Sequence, residues 1–193
     1  MNRAVPTRYY EGMSQLVLRF FLIAVCAFTA AWAVTYLLMM QFPRHTIGSG
    51  LRFPLMFIPT SVLLILGSIT LERAILFVRV ERQRLYRRWL LITLGLGSLF
   101  MGMQTFALWS MFPEHRAPGD ASMEATAFAL ALAALHALHF LIAVLSVSWI
   151  TARSLSDRYD HEYYWGVRCC AWFWHGLGVI WMAILFVFTV ASH

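Results

Sequence analysis

Lysine is absent from this chain of 193 residues, and only 12% of its residues are charged. A soluble domain carries about 25% charge. That shortfall excludes a protein organised around a solvated surface. Cysteine is scarce too, with only Cys26, Cys169 and Cys170. Three thiols, two of them adjacent at an expected helix start, make no disulfide framework, and they read as small apolar filler. Carboxylates are missing from the middle of every long apolar run. This removes the usual ligands of a hard metal ion and the usual intramembrane acid of a transporter.

What is present is hydrophobic: 61% of the residues are apolar. A helix needs about 20 apolar residues to cross a bilayer core. Runs of that length lie at about 18–40, 55–78, 90–112, 126–150 and 170–191. They predict an all-α integral membrane protein, a bundle of five transmembrane helices forming one membrane domain over 1–193. The first run is too long for a cleavable signal and has no small-residue cleavage site after it. Helix 3 carries Gly95, Gly97 and Gly102, and helix 4 is rich in alanine from Ala127 to Ala137. Small residues allow helices to approach closely in lipid, so these two helices are expected to pack on one another.

The fifteen arginines supply all the fixed positive charge, against nine acids, for a net charge of +6. With the N-terminus inside, Arg3, Arg8, Arg19, Arg73, Arg79, Arg82, Arg84, Arg87, Arg88, Arg153, Arg158 and Arg168 are cytoplasmic. Arg44, Arg52 and Arg116 are outside. That asymmetry follows the positive-inside rule. The charge is therefore a matter of topology and not of nucleic-acid binding, which needs an exposed domain. The odd number of spans puts the C-terminus outside. The stretch from Arg79 to Arg88 is expected to extend helix 2 beyond the membrane, and an inner loop is expected from Thr151 to Trp165. Glu72 and Arg73 fall at the inner end of helix 2, within snorkelling reach of head groups.

The polar residues inside the runs carry the functional question, because such groups face protein or water and not lipid. They are Gln104, His136, His139 and His175. His136 and His139 are three apart and share a broad helix face. Trp165, Trp172 and Trp174 lie where an inner aromatic belt belongs, while Trp174 and Trp181, seven apart, share a packing face. Helix 5 is expected to dock through that tryptophan face, with both His136 and His139 turned into the bundle. From the expected helix ends, His139 lies about 16 Å deep and His175 about 8 Å deep. A bis-histidine haem needs two imidazoles at one level, so a b-type haem is disfavoured. Histidines at two depths do not close a metal site either. The plainer role of each imidazole is a hydrogen bond to a neighbouring helix, and the other is a contact with a lipid head group or water. In the inner loop, Asp157, Asp160, His161 and Glu162 have side chains suited to collecting protons. A solvated loop has the same composition.

At these residues the chain resembles subunit III of haem–copper terminal oxidases. The family has a helix with His-Gly-Leu-His, which here reads His136-Ala-Leu-His139. Its last helix carries Tyr-Trp-His-Phe-x-Asp-x-x-Trp. Here that is Phe173-Trp174-His175-Gly-Leu-Gly178-Val-Ile-Trp181. Leu66-Gly-Ser68-Ile-Thr70 resembles the family's second helix in its short form, and Gly95 to Gln104 resembles the third. Five helices correspond to the short form. The sequence departs from the family where acids are expected, with Val25, Ala107 and Gly178 at those positions, which marks a divergent member.

The resemblance implies a non-catalytic accessory subunit, with no haem or copper in this chain and both in the partner subunits. It implies packing on catalytic subunit I and on subunit II, bound phospholipid, and support of assembly and sustained proton uptake in the bacterial inner membrane. It implies a cytochrome c oxidase before a quinol oxidase. An accessory subunit of a nitric oxide reductase and a free-standing small membrane transporter stay open as alternatives.

Overall fold

A computed structural model describes residues 7–41, 57–111, 121–155 and 165–191. They form five helices: α1 (Thr7–Gln41), α2 (Phe57–Arg79), α3 (Gln83–Met111), α4 (Ala121–Leu155) and α5 (Trp165–Ala191). The fold is all-helical, and all five helices are long and apolar enough to cross a membrane. Large apolar side chains such as Phe21, Trp32, Ile58, Leu138, Val179 and Phe186 stand on the outer surface. Water would expel a surface of this kind and lipid accepts it, so we describe the protein as a multi-pass membrane protein.

The helices α2, α3, α4 and α5 close a ring in which each touches the next, and α5 returns to α2. α1 lies outside this ring against α3 and α4. α3 is therefore the most enclosed span and α1 the most open. The centre of the ring is aromatic: Trp174, Trp181, Phe100 and Phe140 are all fully buried. Phe140 meets Trp174 edge-on at 4.9 Å, and Trp181 meets Phe57 edge-on at 5.4 Å. Contacts of this kind add about 0.5–1.5 kcal/mol beyond the burial of area.

Two glycines make room for Trp174. A Cβ on Gly67 of α2 would stand 2.7 Å from its Cζ2, and one on Gly97 of α3 would stand 3.0 Å from its Cη2. A third glycine, Gly102, lets α1 approach α3, since a Cβ there would meet the Val34 Cβ at 2.7 Å. Thr35 of α1 donates a hydrogen bond to the Gly102 carbonyl at 2.9 Å across the same crossing. The glycines of α3 thus serve the Trp174 indole and α1. α3 and α4 do pack on one another as expected, but of these glycines only Gly97 borders α4, at Val144, and Gly95 has nothing within 4 Å of its would-be Cβ.

Helix limits differ from the sequence reading at the basic end. α2 does not continue through Arg88. It stops at Arg79, because Glu81 turns left-handed at φ 58 and two bonds close the end: Arg82 N–H to the Phe77 carbonyl and Glu81 N–H to the Val78 carbonyl. This is a Schellman closure with glutamate where glycine is usual. α3 begins at once, so Arg84, Arg87 and Arg88 lie in its first turns. α4 and α5 also run further toward this end than expected. Thr151 and Ser154 lie within the helix, where their hydroxyls donate to the Val147 and Thr151 carbonyls of the same helix and so are satisfied without leaving it. Arg19 of α1 donates to the Leu155 carbonyl at 2.8 Å, closing the end of α4. The alternating helices bring Arg19, Arg73, Arg79, Arg82, Arg84, Arg87, Arg88, Arg153 and Arg168 to one end of the bundle.

Candidate functional site

Polar groups gather in two places, one at the α2–α5 groove and one in the ring's interior. The groove is built by α2, whose Ser68 and Glu72 are four apart and so share a face, and by His175 of α5. His175 Nδ1 lies 3.0 Å from Ser68 Oγ, and its Nε2 lies 2.9 Å from Glu72 Oε1. One neutral tautomer satisfies all three: Ser68 donates to Nδ1 and Nε2–H donates to the carboxylate. A protonated ring instead gives an ion pair. The cluster can therefore hold a proton shared between imidazole and carboxylate. Glu72 is 54% exposed and His175 is 31% exposed, so the site opens outward. Glu72 is seven residues from the end of α2, about 10 Å along the helix.

Sequence reasoning singled out His175 but missed its partners. By sequence Glu72 falls at the head-group boundary, and the middle of each apolar run holds no carboxylate. Two signals pointed to the cluster: the spacing of Ser68 and Glu72, and a Glu72 depth similar to that expected for His175. With the observed ends, His175 lies ten residues into α5 and His139 sixteen residues from the end of α4. Both helices gained five residues at this end, so the offset of six residues, about 9 Å along the helix axes, is the same as between the expected ends.

The interior group lies among α3, α4 and α5. His136 is buried, and its ring stacks on Trp181 with centroids 5.0 Å apart. Gln104 is buried on α3, and Trp174 and Trp181 are buried on α5. The expected tryptophan face of α5 does face the ring. His139 corrects the expectation. It is exposed, and its Nδ1 bonds to the Leu135 carbonyl of its own helix at 2.8 Å. Residues three apart differ by about 60° around a helix, and the Trp181 stack fixes which of the two points inward.

Trp165 and Trp172 are exposed at the basic end, where they meet edge-on at 6.2 Å, and Arg168 lies over Trp172 at 5.3 Å. They fit the aromatic belt, whereas Trp174 belongs to the core. Asp157, Asp160, His161 and Glu162 lie outside the described residues. Cys170 is buried, and Cys26 and Cys169 are exposed. Among the described residues, no three His, Cys, Asp or Glu side chains converge as a metal site.

No family model matches the chain. It is similar to the cytochrome bo(3) ubiquinol oxidase subunit 3 of Pseudomonas aeruginosa, at 26% identity over 175 residues. The similarity covers 88% of this chain and 79% of that protein. It supports the likeness to an oxidase subunit III that the motifs on α4 and α5 carry, and the five apolar helices are consistent with a bundle of that kind.

Proposed function

We propose that this chain is a non-catalytic accessory subunit of a respiratory haem–copper oxidase. It packs on a catalytic subunit that holds the haem and copper, with a second subunit alongside, and it supports assembly, lipid binding and sustained proton uptake. The observation that carries this reading is the likeness to an oxidase subunit 3 over 88% of the chain. The named relative belongs to a ubiquinol oxidase, which favours a quinol as electron donor over cytochrome c. The arginine-rich end faces the cytoplasm of a bacterial inner membrane, and the C-terminus lies outside.

Within this reading, Ser68, Glu72 and His175 are the groups best placed to hold a proton or a lipid head group at the cytoplasmic side. Asp157, Asp160, His161 and Glu162, whose side chains suit proton exchange, are the further candidates in this chain for that role. Proton supply limits turnover more as protons become scarce, so the contribution of these groups grows with pH.

Oxygen consumption against pH, measured with and without this chain, tests the proposal. The complex lacking it is expected to reduce oxygen still, but to lose rate or inactivate during turnover, more so as pH rises. Complete loss of oxygen reduction by an intact, cofactor-loaded core rejects the accessory role.

A further inference from the structure

Both ring nitrogens of His136, both amide atoms of Gln104 and Nε1 of Trp181 have no hydrogen-bond partner among the described residues. The three side chains are 3%, 2% and 1% exposed. They also converge. The Phe100 and Phe140 rings are 4.3 Å apart across the antiparallel α3–α4 contact. Gln104 is one turn beyond Phe100, and His136 is one turn before Phe140, so the two stand at one level on facing helices. Trp181 of α5 closes the third side, stacked on His136 and 6.3 Å from Phe100. An unpaired buried polar group costs about 1–3 kcal/mol. Lipid around the bundle offers these atoms nothing in return. Polar side chains from three helices, all unpaired at one level, mark a built site for a ligand.

We propose that Gln104, His136 and Trp181 form an internal binding site for water. The chemistry of the lining selects the ligand. Trp181 Nε1 and the Gln104 amide nitrogen can only donate, Gln104 Oε1 can only accept, and a neutral His136 does one of each. A cation leaves the donors unmatched, and an anion leaves the acceptors unmatched. The ligand must both donate and accept, and it must be small enough to reside in the ring's interior. Water meets both demands. At about three bonds per molecule, the five atoms call for roughly two waters. The site ties α3, α4 and α5 together through bonds that no pair of these side chains makes directly. Trp174 Nε1 also has no hydrogen-bond partner among the described residues, but its indole lies between Gly67 and Gly97 and forms no part of this group.

X-ray radiolytic labelling of the full chain in a lipid nanodisc, in ¹⁸O-water and read by mass spectrometry, tests the proposal. Bound water converts to hydroxyl radical in place and oxidises the ring beside it. The proposal expects ¹⁸O on Trp181, falling several-fold in Gln104→Leu/His136→Leu. His136→Gln, which keeps a donor and an acceptor, should retain the label. If the double variant does not fold, His136→Phe removes two of the five atoms and should lower the label on its own. An unlabelled Trp181, or equal labelling in folded wild type and variant, overturns the site. Stability coupling between Gln104 and His136 without label at Trp181 means a direct bond between them and also overturns it. These outcomes do not depend on the oxidase reading, because no partner subunit or turnover enters the measurement.

Discussion

Trp174 shows how single residues set this bundle. Its indole lies in the place where Gly67 and Gly97 have no side chain. Gly67→Ala should cost about 1–3 kcal/mol by overpacking, read as a lower unfolding temperature in detergent. Gly178→Ala meets nothing within 4 Å and should be neutral or gain up to about 1 kcal/mol of helix propensity. Equal effects at the two positions would contradict the packing described. The Glu72–His175 pair gives a second test. Glu72→Gln keeps a hydrogen-bonding group opposite His175 and removes the exchangeable charge. If the pair supports proton supply, oxygen consumption by the assembled complex falls at high pH and stays near normal at low pH. A wild-type profile throughout would make the pair structural. Much of this scale was hidden in the sequence. His136 and His139 have the same residue type and nearly the same helical phase, and only the position of Trp181 separates them. The Glu72–His175 pair joins residues 103 apart in the chain, and no local pattern announces such a partner.

At the scale of the helix, the five spans were legible because length and hydrophobicity alone decide them. Their ends at the basic side were not. Arginine-rich sequence permits a continuous α2 as readily as a stop, and the stop depends on Glu81 adopting a left-handed backbone. That conformation costs about 1–2 kcal/mol for a residue with a Cβ. The role of the α3 glycines was also illegible, since small residues indicate a close approach without naming the approaching helix. α1 gives the clearest element-scale prediction. It is held to α3 at Gly102 by close packing and by the Thr35 hydrogen bond. Gly102→Val should displace α1 while leaving the α2–α5 ring closed. A cysteine pair placed across α1 and α3 should then lose its crosslink, and one across α2 and α5 should keep it. Loss of both crosslinks would mean that α1 is not a separable attachment.

The whole molecule has one basic end and an apolar perimeter, and the sequence alone disclosed both, because they follow from arginine spacing and hydrophobic runs. Reporter fusions at Arg84 and after His193 should report opposite sides of the membrane, with Arg84 inside. Both on one side would break the count of spans. The partner surface was not legible, because a lipid-facing perimeter and a subunit-facing one are equally apolar. The central claim is membership of an oxidase, and co-purification tests it most directly. The tagged chain, solubilised mildly from its native membrane, should bring down a complex whose partner subunits carry haem and copper and reduce oxygen. Recovery of the folded chain without any haem-bearing partner would contradict the account.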